Sequence, residues 1–176
     1  LVDQTFVRHE STMSSDTPDA AAWRRAITRF VTVIPHTRGF GLTVLEAGPE
    51  RVLLRLPWDD DLLGDSTRGL LHGGVATMLL DTACGSSVLP ALPEPEVCPT
   101  LDLRVDHYRP GVTGQDLHVE ARVVSVTASV VFTEGRLWQC AERPIARGIA
   151  NFMRLGARNT PPGFKQALFA AENDHD

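Results

Sequence analysis

Leu70-Leu71-His72-Gly73-Gly74-Val75-Ala76-Thr77-Met78-Leu79-Leu80-Asp81-Thr82-Ala83-Cys84-Gly85 is the stretch on which the reading of this chain turns. A histidine and two glycines lead into residues that stay apolar or small from Val75 to Leu89, nearly all the way round a helical projection. A helix without a polar face is a buried helix. About fifteen residues fall short of the roughly 20 that a membrane span needs. The stretch therefore predicts the core helix of a soluble domain, wrapped by other elements. Asp81 stands in the middle of it. A carboxylate there costs free energy unless it is paired, neutralised or used.

The rest of the composition sets the class. A chain of 176 residues, 43% hydrophobic and 22% charged, is long enough for one domain with a real core. A net charge of −5, with no cluster of Lys or Arg, argues against a nucleic-acid partner. Residues 1–18 are polar, lack an apolar segment of the secretory kind, and read as a flexible N-terminal tail. The three cysteines, Cys84, Cys98 and Cys140, have no metal-type spacing, which suggests a reducing, cytoplasmic setting. No metal site and no membrane segment is expected.

Outward from the central helix, the period of the pattern changes. Upstream, Ala22, Ala26, Ile27, Phe30, Val33 and Ile34 make a helical stripe over 19–34 that Pro35 ends. From Gly39 the period is two. Leu42, Val44 and Leu45, then Val52, Leu54 and Leu56, form two strands joined at Gly48-Pro49-Glu50. Residues 58–69 and 90–99 read as loops. Downstream, strands are expected over 101–105, 117–123, 129–133 and 145–155, with Glu134-Gly135 as a turn. Ala146, Gly148 and Ala150 on one face of the last strand would let a helix approach closely. Residues 157–176 read as a C-terminal tail with one short helix near 164–171. The expected architecture is α+β, one antiparallel sheet wrapped around a long central helix, in a single domain over 19–156.

That layout, with His72-Gly73-Gly74 opening the helix and Asp81 inside it, resembles the hotdog fold and, more narrowly, the PaaI-like acyl-CoA thioesterases. The family pattern runs N-x-x-G-x-x-H-G-G-x-x-x-x-L-x-D. Gly69, His72, Gly73, Gly74, Leu79 and Asp81 stand at its positions, while Ser66 replaces the asparagine. The likeness extends from Pro35 to Leu155. It implies hydrolysis of an acyl-CoA substrate to free acid and coenzyme A, with no separate cofactor. It also implies a homodimer with shared active sites, with dimers commonly pairing into a homotetramer.

The residues supply chemistry for this. Helix N-termini present free N–H groups and a positive dipole end, and a glycine there lets a carbonyl oxygen come close. The resemblance makes the Gly73 N–H the oxyanion donor; packing against the sheet is the alternative use of a glycine. Asp81 would be the general base, or the nucleophile that forms a mixed anhydride, unless it only bonds a buried backbone group. His72 either meets the thioester or its water, or fixes the loop before the helix. Thr100 matches a Ser/Thr position that helps hold the attacking water in related enzymes. Ser66 is shorter than asparagine and brings one donor instead of two. For the phosphates of coenzyme A, Arg109, Arg147 and Arg154 are candidates. The hairpin Val126-Thr127-Ala128-Ser129 stands where relatives often carry a Gly-Lys or Gly-Arg pair, so Ser129 is a contact without a base.

Two other functions fit such a fold. One is a hydratase/dehydratase, whose His-and-acid motif is not found here. The other is a protein that binds acyl thioesters without cleaving them. Finally, nine positions along a helix put His72 and Asp81 about half a turn and about 13 Å apart. Opposite faces at that distance cannot serve one thioester carbon, which predicts a site shared between two copies.

Overall fold

The computed structural model describes residues 18–170. The leading helix, α1 (Ala20–Val33), starts at Asp19, whose carboxylate accepts the Ala22 N–H at 2.7 Å. Pro35 does more than end it. A proline has no N–H to lose in a first turn, and here it opens a second short helix, α2 (Pro35–Gly39). Strands β1 (Thr43–Ala47) and β2 (Val52–Leu56) form the expected hairpin. A bulge between Val44 and Glu46 turns Leu45 outward and keeps Val44 and Ala47 in the core.

The expected 58–69 loop has structure of its own. A 3₁₀ turn (Asp60–Leu62) buries Leu62 completely, and a small hairpin of β3 (Leu63–Asp65) and β4 (Leu70–Leu71) follows. The central helix, α3, runs Gly73–Ala91, a turn longer than the apolar pattern alone marks out. Then come β5 (Thr100–His107), β6 (Leu117–Val126), β7 (Val130–Trp138) and β8 (Ala146–Met153). All pairings in the main sheet are antiparallel, in the order β1-β2-β6-β7-β8-β5. The expected α+β architecture, a sheet curled around one long helix, is the one observed.

Glu134-Gly135 is not a turn. It lies in mid-β7, paired with Arg122 and Ala121 on one side and with Ile149 and Gly148 on the other. Gly135 is there because α3 crosses it. A Cβ would stand 3.1 Å from the Leu80 side chain, 3.2 Å from Cys84 Sγ and 3.2 Å from the Glu120 carbonyl. Gly148 on β8 meets Leu80 in the same way, at 3.2 Å from its Cβ. The small-residue face expected on the last strand is thus the bed of the helix. Glu134 points to the other side of the sheet. The Arg122 and Arg147 guanidiniums hold its carboxyl below the usual range.

Residues 157–170 do not hang free. The short helix expected near 164–171 forms as α4 (Phe164–Phe169), with Leu168 4% exposed. Phe169 meets Trp23 edge-on at 5.0 Å, and Arg29 on α1 donates to the Leu168 carbonyl at 3.0 Å. Hydrophobic contact there docks the segment on α1. The predicted N-terminal tail, apart from Pro18, lies outside the described residues.

One expectation about α3 is corrected. The helix is not covered all round by its own chain. Gly73, Gly74 and Thr77 are exposed, and Met78, Asp81, Thr82 and Gly85 are half-buried, a stripe at spacings of three and four. The neighbouring edge strand β5 is open as well: Leu101 is 50% exposed, with Leu103 and Val105 half-buried. The sequence pattern missed this because the stripe's glycines, threonines and methionine pass as core residues.

Gly135→Ala is expected to destabilise the domain by about 1–3 kcal/mol, since a methyl group would press on backbone on one side and on α3 on the other and force the crossing apart. Urea denaturation of the variant beside the parent protein measures it. An unchanged midpoint would contradict the tight crossing.

Candidate active site

His72 is the N-cap of α3 and stands outside the helical screw. Its backbone N–H donates to the Leu62 carbonyl at 2.9 Å, and its Nδ1 accepts the Gly74 N–H at 3.0 Å. An accepting Nδ1 carries no proton, so the neutral ring has its proton on Nε2, on the side away from the cap. The Val75 N–H is taken by the His72 carbonyl at 3.0 Å. That leaves the Gly73 N–H as a first-turn donor with no acceptor among the described residues.

The two glycines differ in their reasons. A Cβ on Gly74 would stand 2.9 Å from His72 Nδ1 and destroy the cap. A Cβ on Gly73 would meet nothing nearer than the His107 ring, 3.9 Å away. Packing does not require glycine at 73. Gly64, which the sequence reading passed over, is needed because β3 presses on the cap: a Cβ there would lie 2.7 Å from His72 Cα.

Two turns along α3, the half-buried Asp81 accepts a hydrogen bond from Thr100 Oγ1 at 3.0 Å. The pair stands at a cleft of about 190 Å³ whose walls include Phe30, Val88, Leu89, Phe152 and Phe164. Glu96 also lines it, 5% exposed and paired through Oε1 with Arg154 at 2.7 Å. Nothing in the proline-rich 90–99 segment marks Glu96 beforehand. Asp81 itself is in no ion pair among the described residues.

Gly73 faces a different cavity, of about 330 Å³, with His107, Tyr108, Arg109 and Gly111. Arg109 is steadied there by a bond from Nη1 to the Pro144 carbonyl at 2.9 Å. Asp81 and Thr100 do not line it. So the structure brings Asp81 to Thr100, and Gly73 to Arg109, but keeps the two groups apart. The geometry is not the one expected from nine helical positions. Gly73, Thr77 and Asp81 share one open side of α3, and what separates the ends is about 12 Å of helix, not opposite faces.

The remaining candidates sit elsewhere. Ser66 is exposed in the β3–β4 turn, where the neighbouring Gly69 has φ +62°, and it lines neither cavity. Ser129 is in the tight β6–β7 turn, closed by the Thr127 N–H on the Val130 carbonyl at 2.9 Å, and also lines neither cavity. Arg147 and Arg154 are already held by Glu134 and Glu96. His107 is a residue the sequence reading missed. Its alternation with Leu103 and Val105 is the one available signal that it shares their inward side.

Over residues 68–145 the chain matches the thioesterase superfamily. A solved structure of a Pseudomonas aeruginosa protein is 38% identical, with a TM-score of 0.69 over 76% of this chain and 99% of that one. The chain belongs to the thioesterase superfamily and has its hotdog fold. A protein of Halobacterium salinarum, named as a candidate esterase, is 37% identical over 97 residues, which are 53% of this chain and 63% of that protein. The match thus spans about three fifths of that curated relative. A thioesterase family protein from Silicibacter pomeroyi, 23% identical, shares the fold with a TM-score of 0.66 over 74% of this chain and 96% of its own. No helix among the described residues is long and apolar enough to cross a membrane.

The thiols of this superfamily member differ in environment. Burial pushes both Cys84 and Cys98 up to about 11, while Cys140 is exposed. The thiolate is the reactive form. At pH 8 the folded protein is therefore expected to react with an aromatic disulfide reagent quickly at Cys140 only, the other two following on denaturation. Three fast equivalents from the folded protein would contradict this.

Proposed function

We propose that the protein hydrolyses acyl-CoA thioesters to the free acid and coenzyme A. The observation that carries this reading is the Asp81–Thr100 pair at 3.0 Å, lining a largely apolar cleft. Thr100 donates to Oδ1, so Oδ2 is left to take a proton from water. A carboxylate oxygen left free in that position is suited to the task. This arrangement favours the general-base route over direct attack by Asp81. The Gly73 N–H, aided by the dipole end of α3, supplies the oxyanion donor. The open cavity beside it, with Arg109, suits the coenzyme A arm.

One chain cannot assemble these parts, because about 12 Å of helix lies between them. A two-fold axis can. Asp81 touches Thr100 at one end of β5, and Gly73 lies against His107 at the other end. The open stripe of α3 and the open edge of β5 thus expose the two half-sites in matching order. A second copy paired antiparallel about the middle of β5 sets Thr100 and Asp81 of one copy against His107 and Gly73 of the other. The edge strand's unpaired backbone groups and the uncovered α3 stripe favour such pairing, and it yields two equivalent sites.

Asp81→Ala is expected to fold normally and to lose ~10²–10⁴ in kcat on the best acyl-CoA. Thiol release measured with a coloured disulfide reports it, after correction for Cys140. Turnover equal to the parent's would rule out Asp81 as base.

Sharing of the site is tested by complementation. Gly73→Pro removes the proposed donor at the first helical position, where proline is tolerated. Asp81→Ala and Gly73→Pro proteins, each inactive alone, are unfolded and refolded together. Each mixed dimer then holds one doubly damaged and one intact site, so activity is expected to return. Verified mixed dimers with no recovery would sink the shared-site arrangement.

A further inference from the structure

We infer that His107 is a further catalytic residue, the one that hydrogen-bonds the thioester sulfur and protonates it as it leaves. The inference rests on the thioesterase reading above. His107 ends β5 on the same side of the strand as Leu103 and Val105, the side that faces α3. Its Cε1 is the nearest atom to the open space over Gly73, 3.9 Å from where a Cβ would be. It lines the cavity that holds Gly73 and Arg109. Its ring makes no hydrogen bond among the described residues, and it is exposed. No packing demand explains an imidazole there.

The placement of the substrate follows from the groups on either side. With the carbonyl oxygen on the Gly73 N–H, about 2.9 Å away, three directions remain at the carbonyl carbon. Water arrives from Asp81. The acyl group enters the apolar cleft beside Asp81 and Thr100. Sulfur and the arm attached to it must run into the remaining cavity, which both His107 and Arg109 line.

The chemistry balances. Asp81 takes a proton from water as the C–O bond forms, and the carbonyl oxygen gains charge at the Gly73 N–H. The C–S bond then breaks with its electron pair going to sulfur, and a ring N–H of protonated His107 gives that sulfur its proton. The products are a carboxylic acid and a thiol. The proton held on Asp81 and the free site on the imidazole are reset through solvent. No other reactant is consumed.

A proton donor to the leaving group matters most when the leaving thiolate is a poor one. The test compares His107→Ala with the parent protein on two thioesters of the same acyl group, one of coenzyme A and one of a nitrothiophenol, whose thiolate leaves unaided. The expected result is a roughly 10²-fold loss of kcat with the coenzyme A thioester, with little loss on the aryl thioester. His107→Gln, which keeps an N–H near the same place, is expected to recover part of the loss. Equal losses on both thioesters, or none on either, would overturn the role. A parent protein that releases no thiol from any acyl-CoA would overturn the thioesterase reading itself. Active parent protein with a leaving-group-independent variant would overturn only the role of His107.

Discussion

The close crossing of α3 over Gly135 and Gly148 is the constraint on which the other features depend. Leu80 lies on both glycines, and Cys84 lies on the first. A crossing that tight fixes the rotation of the helix about its own axis, since each step along the sequence turns the face by about 100°. With Leu80 and Cys84 seated on the sheet, Asp81 must emerge on the flank towards β5. There it meets Thr100, and Gly73 is carried to the same open side. Turned by one residue, the helix would bury a carboxylate against glycine backbone with no donor at hand. The burial of Leu80 and the exposure of Asp81 are one decision.

The N-terminal end of the helix shows a similar economy. His72 uses its carbonyl and its Nδ1 to satisfy two of the first-turn donors, and leaves the Gly73 N–H over. Gly64 and Gly74 allow this by letting β3 and the histidine ring come within reach. So the cap that starts the helix also selects the N–H that remains, on a residue that lines a cavity. Of the two uses of His72 that the sequence left as alternatives, the cap is the one the structure displays. Its cap fixes the donor whether or not the Nε2 side also meets a ligand.

The helix, the alternating strands and their wrapping were legible because burial imposes periods of 3.6 and two, and these elements obey them. The motif from Gly69 to Asp81 placed Gly73 at the start and Asp81 in the middle of the central helix, where the structure has them. What was illegible followed from tertiary placement. Glu134-Gly135 has turn-like residues, yet the glycine answers to a helix above it and the glutamate to two arginines on the far side of the sheet. Glu96 lies in a segment whose prolines hide any pattern. The open stripe of α3 escaped because glycine, threonine and methionine suit a core and an interface equally. Ser66 and Ser129 matched family positions along the sequence, but in a single chain neither lines the cavities of Asp81 or Gly73.

That open stripe links stability to chemistry. An uncovered helix face and a bare sheet edge are both liabilities for an isolated chain: one leaves apolar area in water, the other leaves backbone groups free to pair with any strand. In this fold the two liabilities adjoin, because β5 is the edge strand that flanks α3. One two-fold contact can cover both at once. The groups it would bring together are the half-sites that about 12 Å of helix holds apart in each copy. In the dimer proposed above, Asp81 would remain half-buried without an ion pair because the second copy would complete its surroundings. A cover that filled the same surface with purely apolar groups would strand that carboxylate. The polar members of the stripe therefore favour a cover that returns hydrogen-bonding groups, and the proposed second copy, presenting Gly73 and His107, would meet that demand.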